Sequence, residues 1–242
     1  LTLVGTSLST AGKVVCECLE TDGQGLISGL VRGGLDTRRI EAVLITHLHA
    51  DHAGGVLSLV YGPYLRGCVV AGPRGLSDIV RVYGEASGSE VSRGVSVVEV
   101  GGDQKGVLRL SNGTVVDTVE LPHTTTSLGY IFRSVSGLVV GVLGDTSGRD
   151  LSFLGRVHVL VHEATYREYE EARYGHSTTR TAGECAAGVS ASVLLLTHFS
   201  VRVRGVSEVR ELAVEAGRYT DASVIGLVEG MTVSFRDIEV EK

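Results

Sequence analysis

Three histidines and an aspartate lie within six residues of one another, in the run His47-Leu48-His49-Ala50-Asp51-His52. Neutral imidazole nitrogens and carboxylate oxygens are the ligands that suit Zn²⁺, Mn²⁺ or iron, and four- or five-coordinate nitrogen and oxygen sites favour Zn²⁺. A chance cluster would be unusual, because the whole chain of 242 residues has eight histidines. One metal ion does not comfortably hold all four side chains, so the run predicts a site for two.

The run directly follows an apolar stretch, residues 42–45, that reads as a buried strand. Because side chains alternate along a strand, its end presents His47 and His49 on the same side. The turn that follows brings Asp51 and His52 back toward a second metal position.

Three further polar residues, Asp145, His162 and His198, come just after apolar, strand-like runs. In open α/β sheets the carboxyl ends of the strands are where ligands bind. The sequence therefore predicts that side chains from distant parts of the chain meet His47 at one sheet edge.

The elements that position these residues follow an α/β pattern, in which short Val, Leu and Ile runs alternate with glycine-rich turns and stretches of helical spacing. Strands are predicted over residues 42–45, 69–71, 95–100, 114–121, 128–132, 138–143, 157–161, 193–196 and 224–228. Helices are predicted over residues 54–59, 74–83, 177–187 and 207–216.

Composition limits the class of protein. No linker interrupts the 242 residues, so we expect one domain over 1–242 with a substantial core. The longest apolar runs are far shorter than the ~20 residues that span a bilayer. The first residues of the sequence do not read as a secretion signal, so we expect a cytoplasmic protein without membrane contact. Four cysteines are too few for a disulfide scaffold and are expected as free thiols, mostly buried.

The formal net charge of −6 gives no basic field that would attract RNA over a long range, so any contact with RNA must be local.

The pattern His47-x-His49-x-Asp51-His52 is the His-x-His-x-Asp-His signature of the metallo-β-lactamase superfamily, which this chain resembles. The resemblance implies an α/β fold, the αββα sandwich of that superfamily, with a binuclear metal site at the sheet edges. More motifs are similar to the ribonuclease Z branch, whose members cleave 3′ trailers from precursor tRNA. They are Pro122-His123 with Gly129-Tyr130, Gly144-Asp145-Thr146, His162-Glu163-Ala164-Thr165, His176-Ser177-Thr178 and Leu196-Thr197-His198.

The resemblance also implies two Zn²⁺ per chain, with Mn²⁺ as the alternative. Two roles stay open for His162: it orients the metal ligands through hydrogen bonds without binding a metal itself, or it is purely structural. His158 is expected to be structural. The implied ligands are His47, His49 and His123 for the first metal, Asp51, His52 and His198 for the second, and Asp145 as the bridge.

The implied reaction is hydrolysis of a phosphodiester. A water between two cations loses its proton near neutral pH, and both metals stabilise charge on the attacked phosphorus. Asp51 is the candidate that orients this water or accepts its proton. In the family, His176 contacts the scissile phosphate or protonates the leaving oxygen. Glu163 and Thr165 are expected to hold His176, and Arg202 is placed to meet a phosphate.

The chain departs from the ribonuclease Z pattern in three places. Only 22 positions separate His123 from Asp145, which leaves room for two strands and a turn through residues 134–137 but not for the long arm that grips tRNA. The N-terminal loop, residues 5–13, lacks Pro-x-Lys-x-Arg-Asn, and Glu17-Cys18-Leu19-Glu20-Thr21 replaces Asp-Cys-Gly-x-Gly-Thr. These losses weaken tRNA as the substrate far more than they weaken the metal chemistry.

Two functions remain open. The favoured one is an endoribonuclease that processes precursor tRNA 3′ ends as a homodimer whose partner subunit helps to hold RNA. The alternative is an arm-less phosphodiesterase for a small phosphodiester or a cyclic nucleotide. A scaffold that has lost its metals is disfavoured, because all seven ligand positions are filled.

Overall fold

The computed structural model describes residues 13–17, 36–170, 172–228, 231 and 233. The N-terminal loop up to residue 12 and the segment 18–21 lie outside the described residues. Among the described residues, no helix combines the length and the apolar character needed to cross a membrane.

The first sheet has four parallel strands, which lie side by side in chain order. The second of them is almost wholly apolar because, as in other parallel sheets, both of its faces are covered. Three helices from the same part of the chain cover the outer face of this sheet, which is the face turned away from the second sheet. The elements are β1 (Lys13–Glu17), β2 (Ile40–Ile45), α1 (Ala50–Ala53), α2 (Val56–Tyr61), β3 (Val69–Gly72), α3 (Leu76–Ser87) and β4 (Ser96–Glu99).

The second sheet has seven strands in the order β11-β10-β9-β8-β7-β6-β5, antiparallel from β5 to β8 and parallel from β8 to β11. Two helices cover its outer face. These elements are β5 (Gln104–Arg109), β6 (Val115–Leu121), β7 (Ser127–Arg133), β8 (Val139–Val142), β9 (Val159–Glu163), α4 (Thr179–Gly188), β10 (Val193–Thr197), α5 (Gly205–Ala216) and β11 (Ser223–Gly226).

The main core lies between the two sheets, where Leu44 of β2 packs in the same cluster as Phe132 of β7. Two more clusters join each sheet to its own helices. The layers are therefore helix, sheet, sheet, helix, which confirms the predicted αββα sandwich. Hydrogen bonds also join the sheets beside the metal-ligand run: the Tyr130 hydroxyl donates to the Ile45 carbonyl at 2.7 Å, and the Leu128 amide donates to Thr46 O at 2.9 Å.

Most predicted elements are confirmed, and their ends shift by at most four residues. The predicted short hairpin between His123 and Asp145 is confirmed, since Ser134 and Leu138 close a tight turn between β7 and β8. The predicted helix 54–59 is α2, which begins and ends two residues later. One expectation was wrong, because β9 runs past His162 instead of ending before it. Helix α1 and strand β5 were not predicted.

Candidate metal centre

A first group of three histidines forms where the two sheets meet. His47 and His49 follow β2 of the first sheet, and His123 follows β6 of the second. His47 Nε2 lies 3.0 Å from His49 Nδ1, and His123 Nε2 lies 3.4 Å from the same His49 atom. Three ring nitrogens thus converge on one point.

A second group lies beside the first and again draws on both sheets. His52 Nε2 is 3.2 Å from Nε2 of His198, which follows β10. Asp51 Oδ2 is 3.6 Å from His52 Nε2. The backbone at His198 has φ of +54°, a left-handed conformation that turns the chain sharply at the end of the strand.

Asp145, between β8 and β9, lies between the two groups. Its Oδ2 is 3.5 Å from His47 Nε2 and 3.9 Å from His123 Nε2 in the first group. The same oxygen is 3.4 Å from Nε2 of His52 and of His198 in the second group. The structure therefore brings together all seven side chains that the sequence nominated.

The spacing of these donor atoms fits metal ligands. Two nitrogens bound to one Zn²⁺ at about 2.0–2.1 Å, at a tetrahedral angle, lie about 3.3 Å apart. The close pairs of ring nitrogens, at 3.0, 3.2 and 3.4 Å, match this spacing. The seven side chains offer imidazole nitrogens and carboxylate oxygens, a set that suits Zn²⁺, Mn²⁺ and iron. The residues present therefore fit a pair of divalent cations.

The protonation states of the cluster also suit metal binding, which needs neutral imidazoles and ionised carboxylates. Burial lowers the pKa of His47 to about 2, and burial likewise lowers the pKa of His123. Burial alone would raise the pKa of Asp145, but its hydrogen bond to His52 helps to outweigh burial, and this pKa lies well below its usual range.

The backbone near Asp145 must approach the end of β2 closely. A Cβ atom added at Gly144 would lie 2.7 Å from both Ser127 Oγ and Thr46 Cβ, so a glycine is needed at this position. Thr46 also supports the cluster directly, because its Oγ1 lies 3.2 Å from His47 Nδ1. Such an outer contact fixes the orientation of a ligand ring.

His176 stands over the cluster without belonging to either group. Its ring centroid is 5.0 Å from that of His123 and 5.1 Å from that of His198. Its Nδ1 lies 2.9 Å from Glu163 Oε1 and 3.8 Å from Asp145 Oδ2. Burial alone would lower the pKa of His176, but the hydrogen bond to Glu163 outweighs burial and raises it. His176 is therefore suited to carry a proton.

Glu163 is buried at the end of β9 and holds several groups in place. Its carboxylate accepts the Thr146 amide at 3.0 Å, the Thr165 amide at 3.2 Å and the Thr165 hydroxyl at 2.7 Å, in addition to the contact with His176. Thr165 Oγ1 also lies 3.0 Å from His198 Nδ1. Of the two residues expected to hold His176, Glu163 does so directly, whereas Thr165 contacts Glu163 and His198.

The remaining candidates lie around the cluster. The Arg202 side chain is 76% exposed and pairs with Glu170 at 3.5 Å, so its meeting with a phosphate stays a prediction. His162 is fully buried in β9, with Nδ1 2.7 Å from the main-chain oxygen of the next residue. His158 Nδ1 accepts the amide of Val139 at 3.1 Å, which is a structural contact of the expected kind.

One supporting residue was missed in the sequence. Gly175 has φ of +75°, and its carbonyl lies 2.9 Å from His123 Nδ1. An added Cβ would lie 2.8 Å from that same ring nitrogen. The signal was available, since a glycine directly before His176 marks a place where the backbone can approach the cluster closely.

Comparison with known proteins identifies the family of this chain. The sequence model of one protein family, the β-lactamase superfamily domain, matches residues 28–199. Ribonuclease Z of Bacillus cereus (strain G9842) is 28% identical over 239 residues, covering 74% of this chain and 76% of that protein. Ribonuclease Z of Enterococcus faecalis (strain ATCC 700802 / V583) is 25% identical over 237 residues, covering 74% and 75%.

Solved structures share the fold. Human tRNase Z, short form, superposes with a TM-score of 0.73 at 24% identity, covering 93% of this chain and 88% of that one. A diphosphatase from the PhnP family superposes with a TM-score of 0.63 at 20% identity, covering 94% and 81%. Since the family model spans most of the chain and a His/Asp cluster lies at the edges of the sheets, this chain belongs to the metallo-β-lactamase superfamily, as one of its metal-dependent hydrolases.

Proposed function

We propose that this protein is an endoribonuclease that cleaves 3′ trailers from precursor tRNA with two Zn²⁺ ions per chain, for which Mn²⁺ can substitute. The observation that carries the proposal is His176, which stands over the seven candidate ligands with Nδ1 held 2.9 Å from Glu163. Cleavage of a phosphodiester needs a proton donor for the leaving oxygen beside the attacking group. This geometry supplies one.

The seven candidate ligands would hold a pair of divalent cations, which would lower the pKa of a coordinated water and offset negative charge on the phosphorus centre. Asp51 has a side chain that is 50% exposed, and it orients this water and accepts a proton from it. The water oxygen bonds to phosphorus as the bond to the leaving oxygen breaks, and His176 gives its proton to that oxygen. Because Nδ1 of His176 faces Glu163, this proton comes from Nε2.

Two curated relatives support RNA as the substrate, because both are named ribonuclease Z and each match covers about three quarters of both chains. The net charge of −6 and the short β7–β8 turn favour contacts with only a few nucleotides close to the site. We further propose that the protein is a cytoplasmic homodimer in which the partner subunit holds the rest of the tRNA. Analytical ultracentrifugation with and without precursor tRNA tests this assembly; a monomer in both conditions would contradict it.

The test of the activity uses purified protein loaded with Zn²⁺ or Mn²⁺ and an end-labelled precursor tRNA. We expect one cut at the trailer junction, and we expect the variant His176→Ala to keep its metal but lose most of the cleavage. A loaded protein that makes no site-specific cut would exclude the tRNA-processing function.

A second function is favoured by the short β7–β8 turn, which leaves no arm for a large RNA. In this alternative the same site hydrolyses a small phosphodiester or a cyclic nucleotide. The similarity of fold to a diphosphatase from the PhnP family is compatible with it. Turnover of bis-p-nitrophenyl phosphate by protein that leaves precursor tRNA intact would favour this alternative over the first.

A further inference from the structure

The loop 164–178, between β9 and α4, touches both groups of candidate metal ligands. Its Gly175 carbonyl lies 2.9 Å from Nδ1 of His123 in the first group. Its Thr165 hydroxyl lies 3.0 Å from Nδ1 of His198 in the second group. In both rings, Nε2 is the nitrogen that faces the cluster, so the loop holds the opposite nitrogen of one ligand in each group.

The direction of these hydrogen bonds is fixed by chemistry. A ring that binds a cation through Nε2 carries its proton on Nδ1, which then donates outward. His123 donates to the Gly175 carbonyl, and His198 donates to Thr165 Oγ1. The Thr165 hydroxyl proton is then free to go to Glu163, 2.7 Å away. The loop therefore sets the tautomer of both rings and also carries His176.

The two ends of this loop are joined at a narrow neck. The Tyr166 amide donates to the Ser177 carbonyl at 3.1 Å, and the Thr179 amide donates to the Tyr166 carbonyl at 2.9 Å. The positions of the described residues between them, 167–170 and 172–176, depend on how firmly the neck is held against the rest of the fold.

A buried carboxylate on a separate element closes the neck. Glu215 of α5 is 8% exposed. It accepts Arg167 Nη1 at 2.6 Å and the Glu168 amide at 3.3 Å on the outgoing side of the loop, and Thr179 Oγ1 at 3.1 Å on the returning side. Three donors from both ends thus converge on one carboxylate, and hydrogen bonds to an ionised group are the stronger kind.

We propose that Glu215 is a positioning residue of the metal centre, which acts through the neck of the loop 164–178 on His123, His198 and His176. The inference rests on the proposed metal hydrolysis. Helix α5 also buries the apolar residues Val209, Leu212 and Ala216, and Ala216 lies in the cluster that joins the helices to the second sheet. A buried acid at this position therefore has a task other than packing.

The test compares Glu215→Gln with Glu211→Gln. Glu211 lies on the same helix and pairs with the same Arg167, at 3.0 Å, but its side chain is 58% exposed. Both variants lose one negative charge. We expect Glu215→Gln to bind Zn²⁺ about tenfold more weakly in competition with a chelator, the lower end of the effect of losing an outer partner. We expect Glu211→Gln to match the unmodified protein.

A second readout is hydrogen exchange of the metal-free protein. We expect faster exchange across 164–178 in Glu215→Gln and unchanged exchange in β2 and β3, because a general loss of stability would affect all of these. With bis-p-nitrophenyl phosphate we expect kcat to fall more than KM changes. Glu215→Asp, which keeps the charge, should recover part of the zinc affinity, and it replaces the Gln variant if that one does not fold.

Zinc affinity and loop exchange in Glu215→Gln that equal those of Glu211→Gln would overturn the inference. These readouts do not depend on the substrate. If the unmodified protein cleaves no phosphodiester at all, the proposed function fails, but zinc affinity and exchange still decide the role of Glu215.

Discussion

At the scale of single residues, histidine serves two purposes at this site, as a metal ligand and as a proton donor, because the surroundings of the two rings differ. His47 is fully buried among other histidines, and burial keeps its imidazole neutral. His176 lies a few ångströms away, yet its hydrogen bond to Glu163 raises its pKa above the ordinary value. A neutral ring can bind a cation and a protonated ring can give up a proton, so Glu163 is the residue that separates the two roles.

Replacing Glu163 with glutamine tests this separation. Its carboxylate accepts four hydrogen bonds, and an amide cannot accept all of them. We expect Glu163→Gln to lower kcat by about 10²–10⁴-fold, the usual contribution of a general acid, as measured in steady-state assays. The matched control is Glu99→Gln, since Glu99 also accepts two amides, those of Gly75 and Ser77. Equal activity of the two variants would argue against His176 as the proton donor.

Gly175 is the residue at which backbone conformation and metal binding meet. Alanine at this position would strain the left-handed backbone and place a Cβ 2.8 Å from His123 Nδ1. We expect Gly175→Ala to weaken Zn²⁺ binding about 10–100-fold, measured by titration against a chelator. Gly155→Ala is the control, because Gly155 has φ of +70° but no atom within 4 Å of an added Cβ. It should lose stability while its zinc affinity stays unchanged; equal zinc affinities in the two variants would contradict the close contact.

At the scale of elements, the central strands of the two sheets could be predicted from the sequence better than the strands at the sheet edges. Strands such as β2 and β10 are short apolar runs buried in parallel surroundings, and their pattern is visible without a structure. Strand β5 was missed because it lies at the edge of its sheet, with an exposed Gln104 and Lys105 and a glycine in a left-handed conformation. Such a strand has neither an apolar run nor clean alternation.

The residues of the candidate site also fall into those that the sequence could nominate and those that it could not. The seven candidate ligands could be nominated because their residue types and their places after apolar runs are local features of the sequence. Gly175 could have been noticed beside His176, but the partner of its carbonyl, 52 residues away in the chain, could not be named. The carboxylate of Glu215 could not be nominated at all, because its partner Arg167 lies 48 residues away. Contacts of this kind are set by how the loop packs on α5, and no local pattern predicts them.

One ion pair holds the start of β5 against the rest of the second sheet. Arg149 makes two parallel hydrogen bonds to Asp103, at 2.7 and 2.6 Å, and also donates to the carbonyl of Glu120. The bond from Arg149 lowers the pKa of Asp103 from its ordinary 3.8 to about 2. Because the folded pKa is the lower one, the pair stabilises the fold above about pH 4, and this stabilisation is lost as the pH falls toward 2.

We therefore expect Arg149→Met to lower the free energy of unfolding by up to about 1 kcal/mol at pH 7, a modest value because the pair is partly exposed. The deficit should shrink as the pH is lowered below 4. Urea unfolding of the metal-free protein at a series of pH values measures it. Arg81→Met, which removes an exposed pair along α3, serves as the control. A deficit at pH 3 as large as at pH 7 would contradict this account.

At the scale of the whole molecule, the metal centre exists only because the two sheets pack together. Four candidate ligands follow β2 of the first sheet, namely His47, His49, Asp51 and His52, of which the last two lie in α1. The other three follow strands of the second sheet, namely His123, Asp145 and His198. Each candidate group contains members from both sheets, with distances of 3.2–3.4 Å between them. Cations at this site would therefore also join the sheets, and their loss should loosen the contact between the two halves.

The charge of the whole molecule limits how it could hold the RNA substrate proposed above. Each subunit of the proposed dimer has a net charge of −6, so the whole dimer can neutralise few phosphates, and we assign one or two in total, close to the site. Each neutralised phosphate of a single strand contributes a slope of about −0.7 to the dependence of binding on salt. We therefore expect the KM for precursor tRNA to rise by less than about tenfold between 50 and 200 mM salt, measured at constant Zn²⁺ concentration.

Bis-p-nitrophenyl phosphate, assayed over the same range of salt concentration, controls for effects of salt on the metal centre itself. A rise of about 10³-fold or more for the RNA would mean that the assembled protein presents an extended basic face, contrary to the local contact proposed for this chain.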